Sequence, residues 1–304
     1  MEAIARPEIC PDEFVQIRIG YHDVFGNGLH NHTLGKEISL MKISMMSLIM
    51  GDMKAKDIVS LAAECDMKGV DWITLHGEKP EDLRRYTLDA GLAIVGYTPI
   101  KEKFINGESG WLDEFKESVD EATRLGAKLM MVPPFPLKGQ KSLAESRRKW
   151  IGYYQEALPI AQDAGITLTA ESTGYDISPI TTADEMLELL TQVPGLKLTF
   201  DNGNIATADD QVSAFHKLKP YIAHFHMKDW KIFDKPNERT TPKRCGKHFM
   251  DIPVGEGDLG LEDFWKKVVA PEYDGFVNLE FLERTGDDTM ADIVRRVVRR
   301  LRTW

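Results

Sequence analysis

The stretch Tyr221-Ile-Ala-His-Phe-His-Met-Lys-Asp-Trp230 indicates how this chain folds. Alternation along a β-strand places His224, His226 and Lys228 on one face and apolar side chains on the other. A strand that is otherwise apolar but carries two imidazoles on one face is typical of a strand that points at a reactive site. For an isolated pair, core histidines bonded to neighbouring groups are an equally good explanation. The choice between them depends on the rest of the chain.

The sequence on both sides of this stretch alternates short apolar runs with amphipathic segments, starting at Lys42. The pattern predicts eight strands at residues 43–48, 71–75, 92–97, 128–132, 166–170, 196–200, 221–230 and 275–279. It predicts helices at 54–68, 80–89, 111–125, 142–164, 182–192, 209–218, 261–269 and 289–301. Eight βα units close most naturally into an α/β protein of the (β/α)₈ TIM barrel type. A doubly wound open sheet is the alternative, but no G-x-G-x-x-G motif follows a predicted strand.

The first 41 residues do not follow this pattern and are predicted to form an N-terminal extension, a hairpin or lid, before a barrel of residues 42–304. His22, His30 and His32 cluster around a Gly-Asn-Gly turn signal. They lack carboxylate or cysteine companions at tight spacing, so we interpret them as surface or lid residues rather than metal ligands.

Composition limits the range of functions. The 304 residues carry 48 acidic and 38 basic side chains, a net charge of −10, which argues against a nucleic-acid partner. No apolar run of ~20 residues and no export signal are seen, so no membrane partner is expected. Three cysteines far apart fit the reducing cytoplasm. The arginine-rich last helix is interpreted as a solvated face or subunit contact rather than a nucleic-acid patch.

Ionisable side chains end several predicted strands, the position where a barrel carries its active site. Glu171, Asp201, His226 and Glu280 end four successive strands, and His76 ends the second. A structural salt bridge would explain any one acid alone, but three neighbouring carboxylates repel one another strongly. A divalent cation among them would remove the repulsion. The oxygen-rich set suits Mn²⁺, Mg²⁺ or Co²⁺, with Zn²⁺ as a further choice.

Five motifs carry a resemblance to a known family: Ala170-Glu171-Ser172, Phe200-Asp201-Asn-Gly-Asn204, His224-Phe-His226-Met-Lys228-Asp229, Pro253-Val-Gly-Glu-Gly-Asp258 and Gly275-Phe-Val-Asn-Leu-Glu280. With them, residues 42–304 resemble the xylose-isomerase-like TIM barrels, the sugar phosphate isomerase/epimerase family. The resemblance implies that Glu171, Asp201, His226 and Glu280 bind one divalent metal, with Mn²⁺ the first choice. It also implies that Glu171 and Glu280 flank the substrate as acid and base.

The implied activity is that of a metal-dependent isomerase or epimerase of a sugar or keto-sugar, acting by proton abstraction next to a carbonyl through a metal-stabilised enediolate. The alternative is a lyase or dehydratase on a keto-sugar or 3-keto-glycoside, including cleavage of O- or C-glycosides at the same site. A non-catalytic sugar-binding barrel and an endonuclease IV-like nuclease are the rivals from other classes. The family also leads us to expect a homo-oligomer.

Some candidate substrate-binding residues depart from the family pattern. His76 stands where these barrels often have glutamate, and Asn204 where the ketose 3-epimerases commonly have histidine. Lys228 is predicted to stabilise an enolate or sugar oxygen. His248 and Arg284 could reach the substrate from loops, although surface hydrogen bonds explain each slightly better.

The two histidines of the stretch Tyr221 to Trp230 are predicted to have different roles. His226 lies nearer the carboxyl end of the strand and is the predicted metal ligand. His224 lies one layer deeper, where we interpret it as a core histidine. Asp229 is predicted to orient its neighbours.

Overall fold

Eight parallel strands close into a barrel in the computed structural model, which describes residues 41–284 and 286–304. In chain order the strands of the described residues are β1 (Lys42–Met46), β2 (Gly69–Ile73), β3 (Ala93–Thr98), β4 (Leu129–Val132), β5 (Thr167–Glu171), β6 (Lys197–Asp201), β7 (Ile222–Phe233), β8 (Thr241–Pro242), β9 (His248–Ile252) and β10 (Phe276–Glu280). Of these, β8 and β9 pair antiparallel and lie outside the ring of eight barrel strands. Strands β1 to β7 pair in sequence, and β10 pairs with both β7 and β1. The predicted TIM barrel is therefore confirmed. The predicted hairpin or lid, with its three histidines, lies outside the described residues.

Helices follow the barrel strands. They are α1 (Ala55–Glu64), α2 (Pro80–Asp89), α3 (Glu102–Asn106), α4 (Trp111–Leu125), α5 (Leu143–Asp163), α6 (Ala183–Gln192), α7 (Asn202–Ala206), α8 (Gln211–Leu218), α9 (Leu261–Phe264) and α10 (Met290–Leu301). A π-helical turn at Trp265–Val269 continues α9. No helix among the described residues is both long and apolar enough to cross a bilayer.

Strand β7 shows how the barrel places polar groups inside. Phe225 faces outward, with its ring 6.5 Å from those of Phe264 and Trp265 on the following helical segment. His224 and His226 lie on the opposite face and are fully buried around the barrel axis. The period-2 alternation predicted for this strand therefore sets which side chains enter the barrel interior.

Two local predictions were wrong. The sequence pattern predicted no strand in residues 231–258, but β7 continues to Phe233 and pairs antiparallel with β9, while β8 completes a small hairpin. Strand β2 was expected to extend to His76 but ends at Ile73. Thr74 and His76 then adopt left-handed φ values of 63° and 50°, which turns the chain away from the strand direction.

The arginines of α10 pair with acidic groups of the same chain. Arg295 binds Glu64 through two hydrogen bonds of 2.8 and 2.9 Å, and Arg302 lies 3.0 Å from Asp66. These ion pairs agree with the interpretation of α10 as a solvated or subunit-contact face.

Candidate active site

Four side chains from successive barrel strands converge at the carboxyl end of the barrel. Glu171 ends β5, Asp201 ends β6, His226 lies in β7 and Glu280 ends β10. One ligand atom from each lies within 4.8 Å of all the others. His226 Nδ1 is 2.6 Å from Glu171 Oε1 and 3.0 Å from Glu280 Oε2. We refer to these four residues as the upper layer.

Beneath them lies a second polar cluster, the lower layer, made of Asp71, His224, Asn278 and Ser44. Asp71 Oδ2 accepts hydrogen bonds from His224 Nε2 at 2.9 Å and from Asn278 Nδ2 at 3.2 Å. The Ser44 hydroxyl donates to Asn278 Oδ1 at 3.0 Å. All four side chains are fully buried, and their hydrogen bonds leave Asp71 Oδ1 without a partner among the described residues.

His226 joins the two layers. Its Nε2 faces Asp71 Oδ2 at 3.4 Å, while Nδ1 faces the carboxylates above. If Nε2 carries the proton and donates to Asp71, the Nδ1 lone pair is free to bind a cation. A carboxylate behind a histidine ligand fixes its tautomer and ring orientation in this way. The lower layer therefore orients the imidazole of the upper layer.

The carboxylates of the upper layer lie so close together that burial and mutual repulsion shift the pKa values of the cluster. Burial and the charges of Glu280 and Glu171 hold the pKa of Asp201 well above its usual range. Burial likewise raises the pKa of Glu171, against the attraction of His226. Burial would lower the pKa of His226, but Glu171, Asp71 and Glu280 together outweigh it and raise that pKa strongly. The groups therefore take up protons that a cation would displace.

The donor set fits a divalent cation. Among the described residues, Glu171 Oε1 is a buried oxygen without a hydrogen-bond partner, because its short approach to His226 lacks hydrogen-bond geometry. Three carboxylates and one imidazole nitrogen match the ligands that Mn²⁺, Mg²⁺, Co²⁺ and Zn²⁺ accept in proteins. An orphaned oxygen inside such a set is the feature that a bound ion would explain.

Lys228 lies beside this cluster and is almost fully buried. Its ammonium donates to Glu280 Oε1 at 2.6 Å and lies 3.9 Å from Asp251 Oδ2. Burial would raise the pKa of Glu280, but Lys228 and His226 together outweigh it and lower that pKa. Glu280 is therefore held ionised, in contrast with Glu171.

Asn204 acts mainly on Asp201 in this structure. Its backbone N–H donates to Asp201 Oδ1 at 2.7 Å and its side-chain amide to Oδ2 at 2.8 Å, so Asp201 caps the short helix α7. Gly203 in the same helix packs against β7 so closely that a Cβ would collide with Lys228. The turn after β6 thus holds both Asp201 and Lys228 in place.

A cavity of about 320 Å³ opens above the upper layer. Glu171, Glu280, Asn204 and Lys228 line it, and so do side chains from the loops after several strands and from the β8–β9 hairpin. Its volume lies at the small end of the range for ligand pockets, roughly 300–1,000 Å³.

Three predicted substrate-binding residues do not line this cavity. His76 Nε2 lies 2.8 Å from the Ser47 hydroxyl, and its ring packs edge-on against Trp72. His248 begins β9 and does not line the cavity, and Arg284 lies on the surface, where its carbonyl accepts a hydrogen bond from Arg239. His76, His248 and Arg284 are thus placed apart from the upper layer.

Asp229 anchors the loop that follows the hairpin. Its carboxylate accepts backbone N–H groups of Gly255 at 3.0 Å and Gly257 at 2.9 Å. A Cβ at Gly257 would collide with this carboxylate. The predicted orienting role of Asp229 therefore acts on the Pro253–Asp258 segment, whose glycines permit the close approach.

Sequence reasoning missed Asp71, Asp251 and Lys243. Asp71 is the one acid within the apolar run of β2, a signal that was available, since a buried lone carboxylate needs a partner. Asp251 and Lys243 belong to the hairpin, which the sequence pattern did not predict. Both line the cavity.

Comparison with known proteins places this geometry in a family. The model of the xylose isomerase-like TIM barrel matches residues 59–304. Among characterised relatives, the L-ribulose-5-phosphate 3-epimerase UlaE of Escherichia coli K12 is 24% identical over 188 residues. The alignment spans 60% of this chain and 60% of that relative.

Two solved structures share the fold at low identity. The 3-keto-D-glucoside 4-epimerase YcjR from E. coli is 17% identical, with a TM-score of 0.68 over 87% of this chain and 100% of that one. The probable 3-DHS dehydratase AsbF from Bacillus anthracis is 19% identical, with a TM-score of 0.64 over 85% and 98%. At such identities the likeness establishes the fold alone. The family match covers most of the chain, and the protein belongs to the xylose isomerase-like TIM barrel family.

Proposed function

We propose that this protein is a divalent-metal-dependent isomerase or epimerase of a sugar or keto-sugar. The observation that carries the proposal is the upper layer, in which four ligand atoms lie within 4.8 Å of one another at the floor of a cavity. In our proposal Glu171, Asp201, His226 and Glu280 hold one metal ion, with Mn²⁺ as the first choice. When bound, the ion would polarise the carbonyl and the adjacent hydroxyl of a keto-sugar, which acidifies the C–H between them.

The side chains around the cavity supply the proton chemistry. Glu171 and Glu280 both line the cavity from strands on either side of β6 and β7, so a sugar between them meets a carboxylate on each side. One glutamate can remove the proton next to the carbonyl and the other can return it. Return by the same glutamate to the neighbouring carbon moves the carbonyl, and return by the other glutamate to the opposite face of the same carbon inverts that carbon.

Lys228 has two tasks in this proposal. Its ammonium, 2.6 Å from Glu280 Oε1, orients that carboxylate, and its position at the cavity wall lets it donate to a sugar oxygen that gains negative charge. Asn204 lines the cavity while it holds Asp201, so its main contribution is to position a metal ligand. The names of UlaE and YcjR, both epimerases, support this class of reaction.

A second candidate is elimination from a keto-sugar or 3-keto-glycoside by the same proton abstraction, as a lyase or dehydratase. One feature favours it: four apolar side chains at the cavity mouth are strongly exposed, namely Leu48, Ile100, Tyr175 and Leu282. They come from the loops after four different strands and would suit an apolar group attached to the sugar. The name of AsbF, a probable dehydratase, fits this class of chemistry.

Incubation of Mn²⁺-loaded protein with keto-sugars and 3-keto-glycosides in D₂O separates the candidates. We expect deuterium to enter next to the carbonyl with the sugar skeleton retained. Loss of water or aglycone would favour elimination instead. The absence of deuterium uptake with every ketose, together with an absence of metal binding, would refute both.

The proposal also covers the cellular compartment, the oligomeric state and the N-terminal extension. Cys65 and Cys245 are free thiols, which suits the reducing cytoplasm that we propose as the compartment. We also propose a homo-oligomer, on the family resemblance, and light scattering of the purified protein measures it. Residues 1–41 remain a proposed extension to the barrel.

A further inference from the structure

Lys243 at the turn of the β8–β9 hairpin is a buried cation that the proposed chemistry does not use. The residue is only 7% exposed and lines the cavity. Among the described residues its ammonium has no hydrogen bond and no ion pair. The other two cations of the cavity are neutralised, Lys228 by Glu280 at 2.6 Å and Arg239 by Glu283 at 3.3 Å.

Two aromatic rings lie beside the Lys243 ammonium, while the carboxylates of Asp251 and Asp176 act on its charge but form no ion pair with it. The ammonium lies 4.7 Å from the ring centre of Trp230 and 5.9 Å from that of Tyr175. Aromatic faces attract a cation without occupying its hydrogen-bond donors. The three N–H donors of Lys243 therefore remain available to a molecule in the cavity.

The hairpin turn is fastened so that Lys243 keeps its position. Arg244 binds Glu185 through two hydrogen bonds of 2.6 and 2.9 Å, and Glu185 also completes the capping box at the start of α6. The backbone N–H of Cys245 donates to the Thr207 carbonyl at 3.1 Å. These bonds join the turn to the first turn of α6 and to the end of α7, so the ammonium is held in position.

Lys243 also lies near Lys228, which contacts the proposed catalytic residue Glu280. Lys228, which contacts Glu280, is 5.1 Å from the ring centre of the same Trp230. The two ammonium groups thus share one indole, and a sugar that reaches Glu280 extends toward Lys243. Burial, reinforced by the charge of Lys228, lowers the pKa of Lys243 to about 8, so the group is still mostly charged at neutral pH.

We propose that Lys243 binds an anionic oxygen group, a phosphate or a carboxylate, carried by the sugar at the end away from the upper layer. The inference rests on the proposed function, because it places the sugar between the upper layer and the hairpin. A buried ammonium without a protein acceptor gains most from a ligand that supplies one. Lys243 is then the residue that selects acidic sugars over neutral ones.

Calorimetry on Mn²⁺-loaded protein tests this with three ketoses: fructose, fructose 6-phosphate and 5-keto-D-gluconate. We expect at least one of the two anions to bind about 10- to 100-fold more tightly than fructose, as a charge-assisted hydrogen bond supplies. Lys243→Met should abolish this preference and Lys243→Arg should retain part of it. Lys235→Met removes the same charge from an exposed position of the same segment and should leave the preference unchanged. The anion that binds more tightly identifies the group.

Two results overturn the inference while the proposed function stands. One is a wild-type protein that binds Mn²⁺ and exchanges deuterium into fructose but shows no preference for, or no binding of, either anion. The other is an anion preference that survives in Lys243→Met. Failure of Mn²⁺ binding together with failure of deuterium exchange into all three ketoses refutes the proposed function, and the inference with it.

Discussion

The upper and lower layers of the barrel are built from neighbouring strands yet differ in how many carboxylates share one small space. In the lower layer a single carboxylate, Asp71, binds His224 and Asn278 through Oδ2, its Oδ1 has no hydrogen-bond partner among the described residues, and the cluster is closed to solvent. In the upper layer the carboxylates crowd one imidazole nitrogen and leave a buried oxygen orphaned. His224 and His226 lie only two residues apart, with ring centres 5.0 Å apart, and fall on opposite sides of this divide. The number of carboxylates around a buried histidine, and not its residue type alone, therefore decides its role.

Replacing an upper-layer glutamate tests the difference most severely. We expect Glu171→Gln to lower turnover roughly 10²- to 10⁴-fold, because the amide cannot carry the proton. Deuterium exchange into a keto-sugar measures it. The exposed helix residue Glu262, changed to Gln, is the matched control and should retain full exchange. Unaltered exchange in Glu171→Gln would remove Glu171 from the acid–base pair.

Replacing the acid that joins the layers should act on the metal. We expect Asp71→Asn to weaken Mn²⁺ binding about 10- to 100-fold, because the amide no longer fixes the His226 tautomer. Titration calorimetry with Mn²⁺ gives the affinity, and circular dichroism verifies the fold. If Mn²⁺ binds Asp71→Asn as tightly as the wild type, His226 does not depend on the lower layer.

Replacing the lower-layer histidine should act on stability instead. His224→Gln disturbs the buried partner of Asp71 and should lower the free energy of unfolding by about 1–3 kcal/mol. Because His224 does not reach the cavity, we expect the Mn²⁺ affinity to change less than in Asp71→Asn. Urea unfolding and the same calorimetry provide both values. A larger loss of metal affinity than in Asp71→Asn would show that the two layers are not distinct.

The metal-free protein should also respond to pH through the upper layer. The folded state raises the pKa values of Asp201, Glu171 and His226, so it binds protons more tightly than the unfolded chain does. Stability from these groups is present at low pH and is lost as pH rises through their folded pKa values, by about 1.4 kcal/mol per pH unit for each proton held.

Thermal unfolding between pH 6.5 and 8, with and without Mn²⁺, measures this response, because above that range the lowered pKa of Lys243 adds stability as pH rises. The metal should remove most of the slope, because it replaces those protons. A metal-free protein whose stability is constant or rises across this range would contradict the raised pKa values of Asp201, Glu171 and His226.

Much of the barrel could be predicted because its pattern is periodic. Glu171, Asp201 and Glu280 stand at the boundary between an apolar run and a loop, and parallel strands bring such boundaries to one end of a barrel. Prediction failed where chain direction depends on local geometry. The left-handed residues Thr74 and His76 turn the chain after β2, and His76 ends beside Ser47 instead of over the cavity.

The β8–β9 hairpin was not predicted, for a different reason. Strand β8 has only two residues, and β9 has five residues without a regular alternation of buried and less buried side chains, so neither shows the pattern from which strands are predicted. The position of Lys243 depends on Arg244 reaching Glu185, a contact between residues 59 positions apart. Tertiary contacts of this kind leave no periodic signal in a single sequence.

Metal content of the purified protein is the most direct test that the upper layer is a metal centre. Wild type and Asp201→Asn would each be loaded with Mn²⁺, freed of unbound metal by gel filtration, and analysed for metal and protein. We expect one Mn²⁺ per wild-type chain and none in Asp201→Asn, with circular dichroism showing both to be folded. A wild-type chain that holds no metal, or a variant that holds as much as the wild type, would contradict this assignment.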